Sequence, residues 1–317
     1  MMAHEFAEFH DELRSVAGDL LAKDRAVDWS ALVDAGWVGL AVPEEFGGAG
    51  ATFAEVAVIC EEMGRAASAN SYLGSAVLAV GTLKALQPSE TRDRLLADVA
   101  SGAKRVAVAL ESEFVPDAEG ADRILVVTPD GVDVGAATVT PQPVLDETRR
   151  LASLDDVEVA ERLRFESDPD TQVQRLKDRA AVAITCDSLG LCEAMLSATV
   201  GYAKARQQFG RPIGSFQAVK HACADMAVSI AVSRQLVEAA VAAIVEDRAD
   251  ARVAAAMAKS YVCSAAVDVA GKAMQLHGGI GYTWESGIHV YLKRAALNRS
   301  LFGSPADHRR QLAKRYL

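Results

Sequence analysis

Positive charge is in short supply: 33 Lys and Arg stand against 43 Asp and Glu, a formal net charge of −10. Nucleic-acid surfaces need clustered cations to neutralise phosphate, so that class of partner is excluded, although a local basic pocket is not. Cysteines are few and scattered. Cys60, Cys186, Cys192, Cys223 and Cys263 form no C-x-x-C pair and fall within apolar helical pattern. They read as buried reduced thiols of a cytoplasmic protein, with no disulfide framework and no metal site. His221, His289 and His308 likewise lack metal-ligand spacing. The opening MMAHEFAEFHDELRSV has early acids and no apolar core, so no secretory signal is expected. No uninterrupted apolar run of membrane length is expected either, because Met226–Val245 contains Arg234 and Glu238. Gly47-Gly48-Ala49-Gly50 lacks the lysine, the spacing and the preceding strand of a P-loop, and reads as a turn.

What remains is a chain of 317 residues, 50% hydrophobic, able to bury a full core. Residues 1–101 read as helices. Phe6, Phe9, Leu13, Val16 and Leu20 recur at helical intervals, and Trp29–Leu40 and Thr52–Arg65 follow. Thr52 with Glu55 makes a capping box. Residues 102–170 change character. Val106–Leu110, Ile124–Thr128, Val132–Val134 and Ala137–Val139 read as short strands, with Pro129-Asp130-Gly131 as a hairpin turn. Asp168-Pro169-Asp170 ends that region. Residues 171–317 then read as long helices: the small-residue stretch Val182–Leu196, then Phe216–Val245, then Ala251–Leu276. The expected fold is mainly α with a small β domain, closed by an antiparallel helical bundle.

Two stretches invite a ligand. In Tyr202–Gln217, Tyr202, Ala205 and Phe209 have helical spacing, and Gly210 and Pro212 are placed to end the helix. Arg206 and Phe209 would then share one face of its last turns, where a guanidinium beside a ring suits a phosphate-bearing flat heterocycle. A core phenylalanine beside a solvated arginine fits the same spacing. Gly278-Gly279, ending the helix that carries Gln275, leaves backbone uncovered for a ligand, and fits an ordinary helix stop equally well. Trp29, Trp37 and Trp284 read as packing residues. The basic end Arg309-Arg310 and Lys314-Arg315 reads as a solvated helix terminus.

Three blocks in order resemble the acyl-CoA dehydrogenase flavoproteins: VPEEFGGAG (Val42–Gly50), R-x-x-F-G-x-P-I followed by F-Q (Arg206–Gln217), and QLHGGIG (Gln275–Gly281) running into Tyr282–Glu285. The resemblance implies FAD as cofactor and α,β-desaturation of an acyl-CoA thioester, with an electron-transferring flavoprotein as acceptor. It implies that Gln275, Leu276, His277, Gly278 and Gly279 cradle the ADP half of FAD. Arg206 would lie on the pyrophosphate, and Phe209 and Gln217 beside the adenosine. In the family these groups serve the neighbouring subunit's flavin.

Two departures stand out. The family's catalytic Glu position falls on Gly303, or on Phe302 in the adjacent register, and the alternative base position falls on Ala180. Where the family's β-domain flavin motif belongs, the chain reads Glu111-Ser112-Glu113-Phe114-Val115-Pro116-Asp117. The expectation is therefore a subunit without a base in a heteromeric enzyme, an α2β2 tetramer with a paralogous dehydrogenase. LHGGIGYTWE and LFGSP are similar to family members that degrade steroid side chains and sterol rings. The alternatives are a homo-oligomer whose base has moved to Asp187, Asp178 or Asp307, and a non-catalytic paralogue that binds a CoA ligand or a partner.

Overall fold

The computed structural model describes residues 9–314; the expectations for Phe6 and Arg315 lie outside them. The first run of helices comprises α1 (His10–Leu21), α2 (Trp29–Asp34), α3 (Phe53–Ala66), α4 (Val80–Lys84) and α5 (Glu90–Ala100). The amphipathic stretch from Trp29 is helical only to Asp34, because the backbone turns at Gly36 with φ +72° and drives Trp37 into the core. The capping box at α3 is present. Thr52 Oγ1 accepts from the Ala54 N–H at 3.1 Å, and Glu55 Oε2 accepts from the Thr52 N–H at 2.8 Å. Between α3 and α4 the buried segment Leu73–Ala79 is wound as a π-helix.

Five strands form one sheet: β1 (Val106–Ala109), β2 (Val115–Pro116), β3 (Arg123–Thr128), β4 (Gly131–Gln142) and β5 (Leu151–Leu163), in the order β1-β3-β4-β5-β2. Only β1 and β3 run parallel. The turn at Pro129-Asp130 sets Thr128 opposite Gly131, as its residues dictate. Two expectations are corrected here. Val132–Val134 and Ala137–Val139 belong to a single strand, interrupted by register shifts at Val134/Gly135 and Ala136/Thr138. Strand β5 was not expected at all: its outer stretch, with Asp155, Asp156, Glu158 and Glu161, is exposed and polar, so composition gives no strand signal.

The third run contains α6 (Pro169–Ala205), a hairpin of β6 (Gln207–Gln208) and β7 (Arg211–Pro212), then α7 (Gln217–Val245), α8 (Ala251–His277), α9 (Ile288–Ser300) and α10 (Pro305–Ala313). Asp168 caps α6 by accepting from the Thr171 N–H at 2.9 Å, with Pro169 at its first position. The small residues of α6 permit a close crossing with α3. A Cβ on Gly190 would stand 1.8 Å from the Glu61 carbonyl oxygen, and one on Gly64 1.8 Å from that of Asp187.

The expectation about membrane length also needs correction. By length and composition alone, α6, α7 and α8 with the turn after it could each cross a membrane, and Arg234 and Glu238 do not prevent it. Their apolar stretches are 78%, 28% and 56% buried inside the protein, respectively. Helix α7 thus keeps an apolar face uncovered, with Val228 and Val232 exposed four residues apart.

Candidate functional site

The segment Tyr202–Gln217 folds differently from its helical spacing. Helix α6 stops at Ala205, and Arg206 is already extended at φ −73°, ψ 125°. Phe209 and Gly210, at φ +52° and +74°, are the two central residues of a tight hairpin turn between β6 and β7. Such a turn needs positive φ at both positions, so Gly210 serves the hairpin and does not cap a helix. Arg206 and Phe209 are therefore not neighbours on a helical face. Phe209 is 91% exposed, and its ring meets Phe216 edge-on at 6.1 Å. The guanidinium of Arg211 lies over that same Phe216 ring at 4.2 Å.

An open groove of about 660 Å³ runs from this hairpin to the end of α8, lined by Phe209, Ile213, Phe216, His221, Gln275 and Leu276 among others. The structure thereby brings Phe209, Gln275 and Leu276 together. Arg206, Gln217, Gly278 and Gly279 are exposed outside the groove's lining, and a Cβ at either glycine would meet nothing within 4 Å. His277 is different. It is buried, its Nδ1 lies 2.7 Å from the Ala273 carbonyl, and its ring stacks on Tyr202 at 4.5 Å. It ties the end of α8 to α6 and does not face the groove. Sequence spacing missed Arg211, whose place over Phe216 follows from the hairpin. Trp284 is also corrected: it is 71% exposed beside His289 and Lys293, not packed inside.

A second cavity, about 370 Å³, lies between the sheet and the bundle, with Val108, Phe114, Asp178, Phe302, Gly303 and His308 in its wall. Gly303 has φ +93°, and a Cβ there would stand 2.9 Å from His308 Nε2. That nitrogen lies 3.0 Å from the Phe302 carbonyl oxygen, and burial pushes the imidazole's pKa down. The position thus favours glycine, and a longer side chain there would strain the backbone and displace the His308 ring. Phe302 is also at positive φ, +56°. Ala180 is fully buried in the core. The segment Glu111–Asp117 puts Glu111, Glu113 and Phe114 on the cavity wall. Asp117 turns inward to accept from the Gly74 N–H at 2.8 Å, and burial pushes its pKa up to about 6.

The acids named as relocated bases differ sharply. Asp187 is buried and fully engaged: Arg294 Nε donates to Oδ1 at 3.0 Å and Nη2 to Oδ2 at 2.6 Å, Asn298 donates to Oδ1 at 2.6 Å, and Arg149 pairs with Oδ2 at 2.9 Å. Burial opposes its charge, but the two guanidinium groups hold its pKa well below the usual carboxylate range. Asp307 caps α10 by accepting from Ser304, whose hydrogen bonds hold its pKa down. Both are structural. Asp178 alone borders the second cavity, where it accepts from Gln174 Nε2 at 2.8 Å and burial pushes its pKa up to about 6. Among the described residues no group of His, Cys, Asp and Glu is arranged to hold a metal ion. Four cysteines are buried free thiols, and Cys223 is half-buried.

The N-terminal domain of the acyl-CoA dehydrogenases matches residues 1–103, and the family's C-terminal domain matches residues 172–317. The acyl-CoA dehydrogenase IpdE2 of Mycobacterium tuberculosis is 37% identical over 299 residues, covering 92% of this chain and 88% of that protein. IpdE2 of Mycolicibacterium smegmatis is 36% identical over 280 residues, covering 87% and 83%. Among solved structures, the Tcur3481-Tcur3483 steroid ACAD G363A variant superposes with a TM-score of 0.88 at 24% identity, over 98% of both chains. The ChsE4-ChsE5 complex of Mycobacterium tuberculosis gives 0.86 at 24% identity, over 97% and 96%. At that identity the superpositions establish the fold. The chain belongs to the acyl-CoA dehydrogenase family, FAD-dependent oxidoreductases that act on the CH–CH bond of acyl-CoA thioesters.

Proposed function

We propose that this chain is the subunit without a catalytic base in a heteromeric, cytoplasmic acyl-CoA dehydrogenase, and that it completes the FAD site of a paralogous partner. One observation supports the reading: Gly303, which the resemblance aligns with the family's base, has φ +93°, and a Cβ there would stand 2.9 Å from His308 Nε2, so a glutamate would need strained backbone and a shifted imidazole. The residues fit FAD unequally. The groove beside the hairpin offers two rings and an amide, which suit a flat base, and the two open glycines just beyond its lining leave backbone uncovered for a phosphate. Phe209, Gln275, Leu276, Gly278 and Gly279 would hold the ADP half there, with Arg206 on the pyrophosphate and Gln217 beside the adenosine. His277 contributes by fixing the end of α8. The chain's own flavin-ring side fits poorly: its wall carries Glu111 and Glu113 in place of hydroxyl donors.

When bound, FAD supplies the acceptor for the β-hydride. This chain's residues orient the nucleotide and exclude water from it, and the partner supplies the base that removes the α-proton. The exposed apolar pairs Val228 and Val232 on α7, and Met257 and Tyr261 on α8, support association with another subunit. An α2β2 tetramer and an electron-transferring flavoprotein as acceptor belong to this reading. So does a steroid-derived acyl-CoA substrate, favoured by the steroid ACAD with the same fold.

The test is co-expression with a paralogous acyl-CoA dehydrogenase. A yellow complex that oxidises acyl-CoA, alongside a colourless and inactive isolated chain, is expected. Tight FAD binding with turnover by this chain alone would overturn the reading. A second reading, a homo-oligomer using Asp178 as base, is favoured only by that acid's place on the cavity wall.

A further inference from the structure

Arg179 carries a part-buried guanidinium that the FAD site leaves unused. Its Nε donates to the Val77 carbonyl oxygen at 3.1 Å, and its Cζ lies 4.4 Å from the centroid of the Phe53 ring. Val77 belongs to the π-helical segment Leu73–Ala79, and π-helical winding frees carbonyls from the ordinary i→i−4 ladder. One turn further on, Gly81 clears the space: a Cβ there would stand 2.7 Å from Arg179 Nε and 2.8 Å from its Cδ. Three features of the fold thus hold one cation in place.

That cation has no counter-charge. No described carboxylate pairs with Arg179 within 4.0 Å, and its Nη2 is buried without a hydrogen-bond partner. Burial pushes its pKa down to about 10, which still leaves it charged at neutral pH. A charge removed from much of the solvent and left unpaired is unfavourable, so a fold that holds one in place invites an anion. Arg179 opens onto a groove of about 760 Å³. Lys84 stands on the rim, its Nζ donating to the Ala41 carbonyl at 3.1 Å and making no ion pair. The groove's acids are engaged or peripheral. Asp247 pairs with Arg175 at 2.8 Å, Asp178 accepts from Gln174, and Glu166 and Asp170 are exposed.

We propose that Arg179, with Lys84 at the rim, is a binding site for a carboxylate that enters the groove between α4, α6 and the α7–α8 turn. A guanidinium without a carboxylate partner, already stacked on a ring, is pre-organised for a planar carboxylate. The groove shares Gln174 and Asp178 with the cavity beside Gly303, so a carboxylate on a chain threaded through that cavity reaches the same place as a free dicarboxylate. The site belongs to this chain alone and does not depend on the heteromeric reading.

Calorimetric titration of the full chain, without turnover, tests it with glutarate, glutaryl-CoA, butyryl-CoA and inorganic phosphate. Glutarate or glutaryl-CoA is expected to bind at least tenfold more weakly to R179M, with a loss of about threefold in K84M, at an exposed position. Glutaryl-CoA binding far above glutarate would identify the carboxylate as part of an acyl chain; equal binding would identify a free dicarboxylate. Phosphate binding as tightly as glutarate, glutaryl-CoA no tighter than butyryl-CoA with glutarate inert, or no change in either variant would each overturn the assignment.

Discussion

Gly303 and His308 stand so close that a single added carbon on Gly303 would lie 2.9 Å from His308 Nε2. The imidazole is held there by its contact with the Phe302 carbonyl at 3.0 Å. Placing a glutamate there as G303E is therefore expected to leave the isolated chain inactive and to destabilise it by about 1–3 kcal/mol, through positive-φ backbone strain and the clash. Urea unfolding and an acyl-CoA-dependent dye-reduction assay measure both. Turnover by the single variant would contradict the account of this position.

Asp187 and Arg294 lock α6 to α9, and Arg149 and Asn298 complete the network. D187N should cost about 3–5 kcal/mol, because it strands two buried guanidinium groups. The pH dependence has a definite sign. With the folded-state pKa of Asp187 near 2 against an ordinary 3.8, its stabilisation is complete above the ordinary value and is lost as pH falls toward 2. Urea midpoints between pH 5 and 2 should drop less steeply in D187N than in the wild type.

Asp178 behaves in the opposite way. Burial raises its folded-state pKa to about 6, so it destabilises the fold above that pH, and this penalty disappears as pH falls to about 4. D178N is expected to be neutral or stabilising at pH 8, by thermal unfolding. In the co-expressed complex it should change turnover by less than about threefold. A loss of a hundredfold or more, of the size expected for removing a general base, would instead establish it as the base.

Phe209 is almost fully exposed at the hairpin tip, so F209A should leave the unfolding midpoint unchanged. If its ring lies against a partner's nucleotide, F209A and R206A should each release FAD from the complex, at about tenfold higher dissociation constants. R206A should also flatten the salt dependence of binding. Flavin fluorescence after dialysis reads both.

Much of this was legible along the chain. The capping box at Thr52, the break at Asp168-Pro169-Asp170, the Pro129-Asp130 turn and the long apolar periodicities of α7 and α8 are local signals, set by residues within a few positions of one another. The illegible parts share a cause. Spacing in Tyr202–Gln217 imitates a helix, but positive φ at Phe209 and Gly210 makes a hairpin, so Arg206 and Phe209 lose their shared face. His277 reads as part of a ligand-facing run, yet its ring stacks on Tyr202, more than seventy positions earlier in the chain. Strand β5 is hidden because half of it faces solvent.

The order of amino acids alone determined the family and the alternation of helical and strand regions, since each depends on which residue stands where. Only the tertiary structure decided that a side chain at Gly303 would press on His308, that Asp187 is engaged by Arg294, and that Arg179 pairs with no described carboxylate. Those outcomes depend on distances between segments remote in sequence. A through-space clash or charge is invisible until the chain has closed on itself.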